Sequence, residues 1–141
     1  MRVVLLFALV ACVHTKTPET FVRMERTGCY GPCLVYTLTL YADGAVRYHG
    51  KFNVPTGTKW RTIAPAQVAH LMDEAERVPE WRCDPKLVKP EQPGAIITVS
   101  RDGKVTRRFE HNSGDPCAPD VSPELESDID VDAGLTSFLG K

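Results

Sequence analysis

The chain has no excess of charge of either sign. It contains 17 lysines and arginines against 18 aspartates and glutamates, which leaves a formal net charge of −1. The densest basic cluster, from Lys104 to Arg108, holds only three positive charges. Because proteins bind nucleic acids through many phosphate contacts from Lys and Arg, this composition does not favour a nucleic-acid partner. With 141 residues, 43% of them hydrophobic and 25% charged, the composition is instead typical of a globular protein with one core.

Long hydrophobic runs are absent as well. The most apolar stretch, residues 1–12, has one positive charge at Arg2, a short apolar run, and small residues before Cys12. It is far shorter than the roughly 20 apolar residues that a transmembrane helix needs, so it predicts a signal peptide. Its last four residues, Leu9-Val10-Ala11-Cys12, resemble the bacterial lipobox, in which the cysteine receives a lipid and becomes the mature N-terminus. The alternative is an ordinary signal peptide with a chance cysteine.

The lipobox resemblance implies that lipid on Cys12 attaches the protein to a membrane. A diacylglyceryl thioether and an acylated amine together supply more than one chain, which is enough for a stable anchor. Val13, not aspartate, follows Cys12. By analogy with Gram-negative sorting, this predicts the periplasmic face of the outer membrane if the organism is Gram-negative. We expect residues 1–11 to be a lipoprotein signal peptide, residues 12–20 a tether, and residues 21–141 a single domain.

Signatures of catalysis and of metal binding are also missing from the sequence. It has no G-x-S-x-G, H-E-x-x-H, P-loop or dinucleotide-binding motif. The histidines show no close metal-binding spacing such as H-x-x-x-H, and we expect them at the surface or at strand edges: His14, His49, His70 and His111. We therefore expect no catalytic residue, no metal and no cofactor, and the sequence favours a protein that is not an enzyme.

An acidic segment near the C-terminus invites comparison with a calcium site. Residues 128–132 alternate aspartate with apolar residues, as the first positions of an EF-hand loop do. The register then fails, because Ala133 stands where the sharp turn needs glycine and Leu139 stands at the position of the bidentate glutamate. We expect these aspartates to lie on a solvated helix face.

The sequence does contain the period-two alternation of side chains that is typical of β-hairpins. Residues 34–41 have the period of two expected of a half-buried strand, with one face formed by Leu34, Tyr36, Leu38 and Leu40. Asp43-Gly44 predicts a tight turn, and residues 45–50 the return strand. Residues 21–26 are predicted as an edge strand, and residues 60–63 as a further short strand.

A second hairpin is predicted in the second half of the chain. Residues 95–101 form a strand run, Asp102-Gly103 a turn, and residues 104–111 the return strand. One face of this hairpin is expected to hold four apolar side chains: Ile97, Val99, Val105 and Phe109. The proline-rich residues 79–93 are predicted to be a loop.

Two amphipathic helices complete the predicted fold. Pro65 suits a first helical turn, and the apolar residues after it recur at three- and four-residue spacings up to Pro79: Val68, Leu71, Met72, Ala75 and Val78. Ser122-Pro123 predicts an N-cap and first helical position, with Gly134 ending a helix whose buried face holds Val121, Leu125, Ile129 and Ala133. We expect the tail after Gly134 to pack back. The sequence thus predicts an α+β fold: an antiparallel sheet of about five strands from two hairpins, with two helices on one face.

Four cysteines remain after Cys12, an even number that usually forms disulfides in a secreted chain. Three pairings are possible, and we favour Cys29–Cys33 with Cys83–Cys117, because Gly31 and Pro32 bring the first two together. A functional alternative is thiol–disulfide exchange at Cys29 and Cys33, since short strained rings are easier to reduce. Against it, three residues separate them instead of the two of C-x-x-C redox motifs. A zinc site made from these two cysteines and a histidine would need free thiols. Outside the cytoplasm these thiols should instead be oxidised.

One motif identifies a family. It combines two cysteines, a glycine and a tyrosine, Cys29-x-Gly31-x-Cys33-x-x-Tyr36, and a hairpin with Tyr48-x-Gly50 follows it. Together they resemble the bacterial domain of unknown function family 6438, often found in lipoproteins, whose pattern is C-x-G-x-C-P-x-Y. Here Leu34 stands in place of the proline after the second cysteine, and Pro32 precedes that cysteine. The resemblance covers roughly residues 21–138 and implies an α+β fold but no activity.

The sequence therefore predicts a lipid-anchored bacterial envelope protein. We expect a non-enzymatic binding or structural module whose partner is an envelope protein or another envelope component. The alternative is an envelope thiol–disulfide redox protein that uses Cys29 and Cys33.

Overall fold

The architecture is built around the hairpin that follows the paired cysteines. A computed structural model of the protein describes residues 19–89 and 91–140. In it, β2 (Val35–Tyr41) and β3 (Ala45–Phe52) pair antiparallel around Asp43-Gly44. Gly44 has a φ of +90°, which residues with a Cβ rarely adopt. Both the hairpin and its turn are as the sequence predicts.

Four more strands complete one antiparallel sheet. They are β1 (Phe21–Arg26), β4 (Gly57–Thr62), β5 (Gly94–Arg101) and β6 (Lys104–Asn112). The strand order is β4-β3-β2-β1-β5-β6. The α+β class is confirmed, and the sheet has six strands where the sequence predicts about five.

Strand β1 is central, and its prediction as an edge strand is wrong. It pairs with β2 on one side and with β5 on the other, so it joins the two predicted hairpins. Val22 and Met24 are completely buried in the core. A six-residue segment gives no local sign of this position, because its partners in β5, from Ala95 to Ser100, lie far along the chain.

Three helices pack on one face of the sheet: α1 (Pro65–Arg77), α2 (Val121–Asp132) and α3 (Leu135–Leu139). The apolar faces of α1 and α2 lie in the same core cluster as the inward side chains of the strands. The C-terminal tail packs back as expected, because Phe138 of α3 is buried and stacks on Tyr48 with ring centroids 5.0 Å apart. Within the described part of the chain, no helix is long and apolar enough to cross a membrane.

The predicted start of α2 is displaced. Asp120 is the N-cap residue, and Ser122 lies inside the helix with its side chain completely buried. Val121, predicted on the buried face, is exposed. The helix starts two residues earlier than predicted, and its buried face holds Ser122 and Glu126 beside Leu125 and Ile129.

A bulge in the second hairpin overturns one further prediction. The register shifts between Val99 and Ser100, so that Val99 faces Arg107 while Ser100 faces Val105. Side chains change face at an inserted residue, and Val105 is therefore 54% exposed. Ile97, Val99 and Phe109 are buried on one face as predicted.

Helix α1 is joined to β5 by a bidentate ion pair. The Nε and Nη2 atoms of Arg101 donate to the Glu76 carboxylate at 2.9 and 2.8 Å, and Thr106 also donates to it. The hydrogen bond from Arg101, opposed by burial and reinforced by Thr106 and by the charge of Arg101, lowers the pKa of Glu76. Glu76 therefore stabilises the fold above its ordinary pKa of 4.5, and this contribution is lost as the pH falls below that value.

We expect Glu76→Gln to lower the thermal midpoint of unfolding at pH 7. The difference in midpoint between the variant and the unchanged protein should become smaller as the pH falls from about 5 to about 3. Thermal unfolding at a series of pH values measures this. Glu80→Gln is the matched control, because the Glu80 side chain is 91% exposed. Parallel midpoint curves for the Glu76→Gln variant and the unchanged protein would contradict the assignment.

Candidate functional site

The paired cysteines of the motif lie at the surface. Cys29 and Cys33 form a disulfide with Cα atoms 5.8 Å apart in the connection from β1 to β2. Tyr30, between them, is 93% exposed. The side-chain amide of Asn53 donates to the carbonyl oxygen of Cys33 at 3.1 Å, which holds this loop against the end of β3.

Three other motif residues, Tyr36, Tyr48 and Gly50, are buried and serve packing. The hydroxyl of Tyr36 donates to Asp130 at 2.7 Å, and the hydroxyl of Tyr48 donates to the carbonyl oxygen of Pro55 at 2.9 Å. A Cβ at Gly50 would collide with both that carbonyl and that hydroxyl. Tyr48-x-Gly50 therefore holds the segment after β3 close to the strand, and only glycine leaves room for it.

A cluster of ionisable groups lies between the sheet and α2. Arg26 of β1 binds both Glu126 and Asp130 of α2, with a distance of 2.8 Å from its Nη2 to Asp130. The Nδ1 atom of His111 lies 2.5 Å from the second oxygen of Glu126. The prediction for Asp130 is thereby corrected, because Asp130 bonds to the sheet instead of lying on a solvated face. His111 lies on the edge strand β6, one of the two positions predicted for the histidines, but its side chain is buried.

The charges in this cluster stabilise one another. Burial disfavours the charged form of Arg26, but the hydrogen bond and charge of Asp130 and the charge of Glu126 outweigh it and raise the pKa of the guanidinium. Burial, with the negative charge of Asp130, also raises the pKa of Tyr36, so its hydroxyl remains a donor. The cluster thus connects β1, β2 and β6 to α2, and its ionisable groups already bind one another.

The second disulfide joins Cys83, in the loop after α1, to Cys117, before α2, with Cα atoms 5.4 Å apart. Asp115 brings a carboxylate close to both sulfur atoms. Its oxygen accepts a hydrogen bond from the indole of Trp81 at 2.9 Å. Because both sulfurs are bonded to each other, this group does not offer the thiolates that a zinc site needs.

The opposite face of the sheet, here called the open face, has no described helix packed on it. Its aromatic part consists of three side chains from β1, β2 and β4: Phe21, Tyr41 and Trp60. Trp60 stacks on Tyr41 with centroids 6.1 Å apart and an angle of 19° between the rings. Phe21 meets Tyr41 edge to face at 6.2 Å. Tyr41 is buried beneath this group, whereas Trp60 is 56% exposed.

A shallow depression of about 200 Å³ lies beside the aromatic group on the open face. We call it the basic hollow, and six side chains from β1, β2 and β3 line it: Arg23, Glu25, Thr37, Arg47, His49 and Lys51. Three positive charges and one negative charge leave a net charge of +2 with His49 neutral. Thr39 is buried at its edge, where its hydroxyl accepts a hydrogen bond from the Nε of Arg23 at 3.3 Å.

The cations of the basic hollow differ from those on the covered face. Arg26, Arg101 and Arg107 on the covered face each form an ion pair with a carboxylate. Within residues 19–89 and 91–140, no ion pair involves Arg23, Arg47 or Lys51. An anion in the hollow would therefore meet positive groups that no carboxylate of the described chain occupies.

The sequence signal for the hollow is partial. Alternation in β3 places Arg47, His49 and Lys51 on one face, which is visible from the sequence. That Arg23 joins them depends on the central position of β1, since Arg23 and Arg47 both face Thr39 from opposite sides. This register is a long-range property, so the site is not predicted from the sequence.

The predicted lipidation site, Cys12, lies outside the described residues. Neither a curated protein nor a solved structure matches the chain. A family model described as domain of unknown function (DUF6438) matches residues 20–131, and the chain belongs to this family.

Proposed function

We propose that this protein is a non-enzymatic binding module of the bacterial cell envelope, anchored by lipid on Cys12, and that it binds an anionic envelope component in the basic hollow. The observation that carries the binding role is the set of cations in the hollow that no carboxylate of the described residues pairs with. Arg and Lys in such a position form charge-assisted hydrogen bonds with carboxylates and phosphates.

The anchor and the hollow are compatible in space. The sequence places eight residues between Cys12 and the first strand residue, Phe21. At about 3.3–3.6 Å each they span at most roughly 28 Å, so the domain stays near the membrane surface. The open face, whose aromatic part includes Phe21, then lies within reach of envelope polymers next to that membrane.

A non-enzymatic role is supported by how the ionisable groups are used. Catalytic acids and bases need a free position toward a substrate. In the cluster around Arg26, the carboxylates, the guanidinium, the imidazole and the phenol bind one another. Its role is to hold α2 on the sheet.

The thiol–disulfide alternative uses Cys29 and Cys33, and the exposure of the loop around Tyr30 favours access by a second thiol. The pair lies between two strands, however, and not at a helix N-terminus, where redox cysteines are activated. A reduction potential below about −300 mV, typical of inert structural disulfides, would eliminate this alternative.

Isothermal titration of the full-length protein in detergent with inorganic phosphate at low salt tests the anion site. We expect Arg47→Gln/Lys51→Gln to weaken binding about tenfold, since two charge-assisted contacts are lost. Lys86→Gln/Lys89→Gln removes two exposed cations from the loop after α1, outside the hollow, and should leave binding unchanged. Equal affinities of both double variants, or no binding by the unchanged protein, would overturn the proposed site.

The lipid anchor has a separate test. We expect Cys12→Ser to abolish the incorporation of labelled lipid into the protein, and labelling that persists in this variant would overturn the proposed anchor.

A further inference from the structure

We infer that the ligand of the open face is an acidic polysaccharide, with the ring of one sugar on Trp60 and its carboxylate in the basic hollow. This inference rests on the proposed function, because it names the class of anion that the hollow binds. Two adjoining features carry it: the supported aromatic ring of Trp60, and the cations of the hollow, which form no ion pair within the described chain.

The aromatic feature is a pre-formed stacking surface. Tyr41 supports one face of the Trp60 ring from below and is itself held by Phe21. Because Trp60 remains 56% exposed, a flat apolar group can pack on it without rearrangement. Aromatic faces carry negative charge density, and the C–H groups on the flat side of a sugar ring are a complementary partner.

The spacing of the two features fits one sugar unit. Trp60 and Arg47 are register partners on β4 and β3. Facing residues of an antiparallel pair have Cα atoms only about 4.5–5.5 Å apart. The carboxylate of a uronic acid is bonded directly to its ring, so the ring and the carboxylate require neighbouring apolar and cationic groups of this kind.

The size of the hollow favours a polymer over a small enclosed ligand. Pockets that enclose a whole small molecule have volumes of roughly 300–1,000 Å³. The basic hollow, at about 200 Å³ and open to solvent, accommodates a charged group while the rest of the ligand lies across the sheet. Beyond the hollow, Arg108 continues the basic character on the same face, since it pairs with Thr98, which faces Arg23.

The test compares probes that share charge but differ in structure. Full-length protein in detergent is titrated with tetragalacturonate, its methyl-esterified form, acetate, polyglutamate and oligo-deoxythymidine at low salt. We expect tetragalacturonate to bind at least about tenfold more tightly than each of the others. We expect Trp60→Ala to weaken tetragalacturonate binding about tenfold, as an aromatic contact of 1.4 kcal/mol implies, and to leave phosphate binding unchanged. Phe52→Ala is the control, because Phe52 is an exposed aromatic outside both features.

The possible failures are distinguishable. The saccharide inference would be overturned if Trp60→Ala bound tetragalacturonate as tightly as the unchanged protein does, or if the esterified form bound as tightly as the acid. The anion site would remain supported in that case if phosphate still binds. Preference for polyglutamate or for oligo-deoxythymidine would overturn it in favour of an acidic protein or a nucleic acid. Absence of binding by every probe, phosphate included, would overturn the proposed function as well.

Discussion

Replacing Arg26 by methionine should destabilise the protein by about 3 kcal/mol, because Glu126 and Asp130 would remain at the sheet without their positive partner. Breaking a buried ion pair from one side typically costs about 3–5 kcal/mol, and the lower end applies because the Arg26 side chain is 23% exposed. For a domain of this size the thermal midpoint should fall by roughly 12 °C. Thermal and denaturant unfolding of the full-length variant measure both quantities.

The same strand supplies a matched control. Arg23→Met removes an arginine three residues away that points to the open face and has no carboxylate partner in the described chain, so its cost should stay below about 1 kcal/mol. Adding Asp130→Asn to Arg26→Met should recover part of the loss, since one unpaired charge is then removed. Equal costs for the two arginine variants would contradict the assigned role of the cluster.

Replacing both Cys83 and Cys117 by serine should lower the free energy of unfolding by about 4 kcal/mol. Their disulfide spans a sequence separation of 34 residues, and loop-closure entropy in the unfolded chain scales with the logarithm of that length. The closed loop contains β5 and β6, so the bond also limits how far this hairpin can separate from α1 and α2. Urea unfolding of the full-length protein under non-reducing conditions gives the value.

The Cys29–Cys33 pair is the natural comparison. Its separation of four residues predicts a loss of only about 2 kcal/mol for the corresponding double serine variant. The difference of about 2 kcal/mol between the two variants is the quantity to test. A larger loss for the short ring would show that the motif loop has a role in the fold beyond closing its own turn.

The local elements of the fold follow from the sequence. Period-two alternation before Asp43-Gly44 and the three- and four-residue spacing after Pro65 both predict the observed elements, because each signal is contained within a single segment. Residues 60–63 likewise mark β4, which begins three residues earlier at Gly57.

The errors all involve long-range pairing or a shift of one or two residues along the chain. The central position of β1 depends on its pairing with β5, and the exposure of Val105 depends on the bulge at Ser100. Ser122 resembles an N-cap residue in the sequence, yet the helix begins at Val121 and buries it. In each case the local pattern allows two arrangements, and packing against the rest of the chain selects between them.

The candidate site is less predictable than the fold for the same reason. Charge alternation in β3 is visible in the sequence, but the hollow exists only when β1 brings Arg23 beside it. The sequence motif directs attention to Cys29 and Tyr36 instead. In the structure Tyr36 points to the covered face and binds Asp130, on the side of the sheet away from the hollow.

A map of backbone amide shifts shows whether the open face is the surface that binds the ligand. The full-length ¹⁵N-labelled protein in detergent is titrated with tetragalacturonate and its amide resonances are followed. We expect the largest shifts in β1, β3 and β4 around Arg23, Arg47 and Trp60. Shifts concentrated in α1 and α2, or in the loop around Tyr30, would contradict the assignment of the open face as the binding surface.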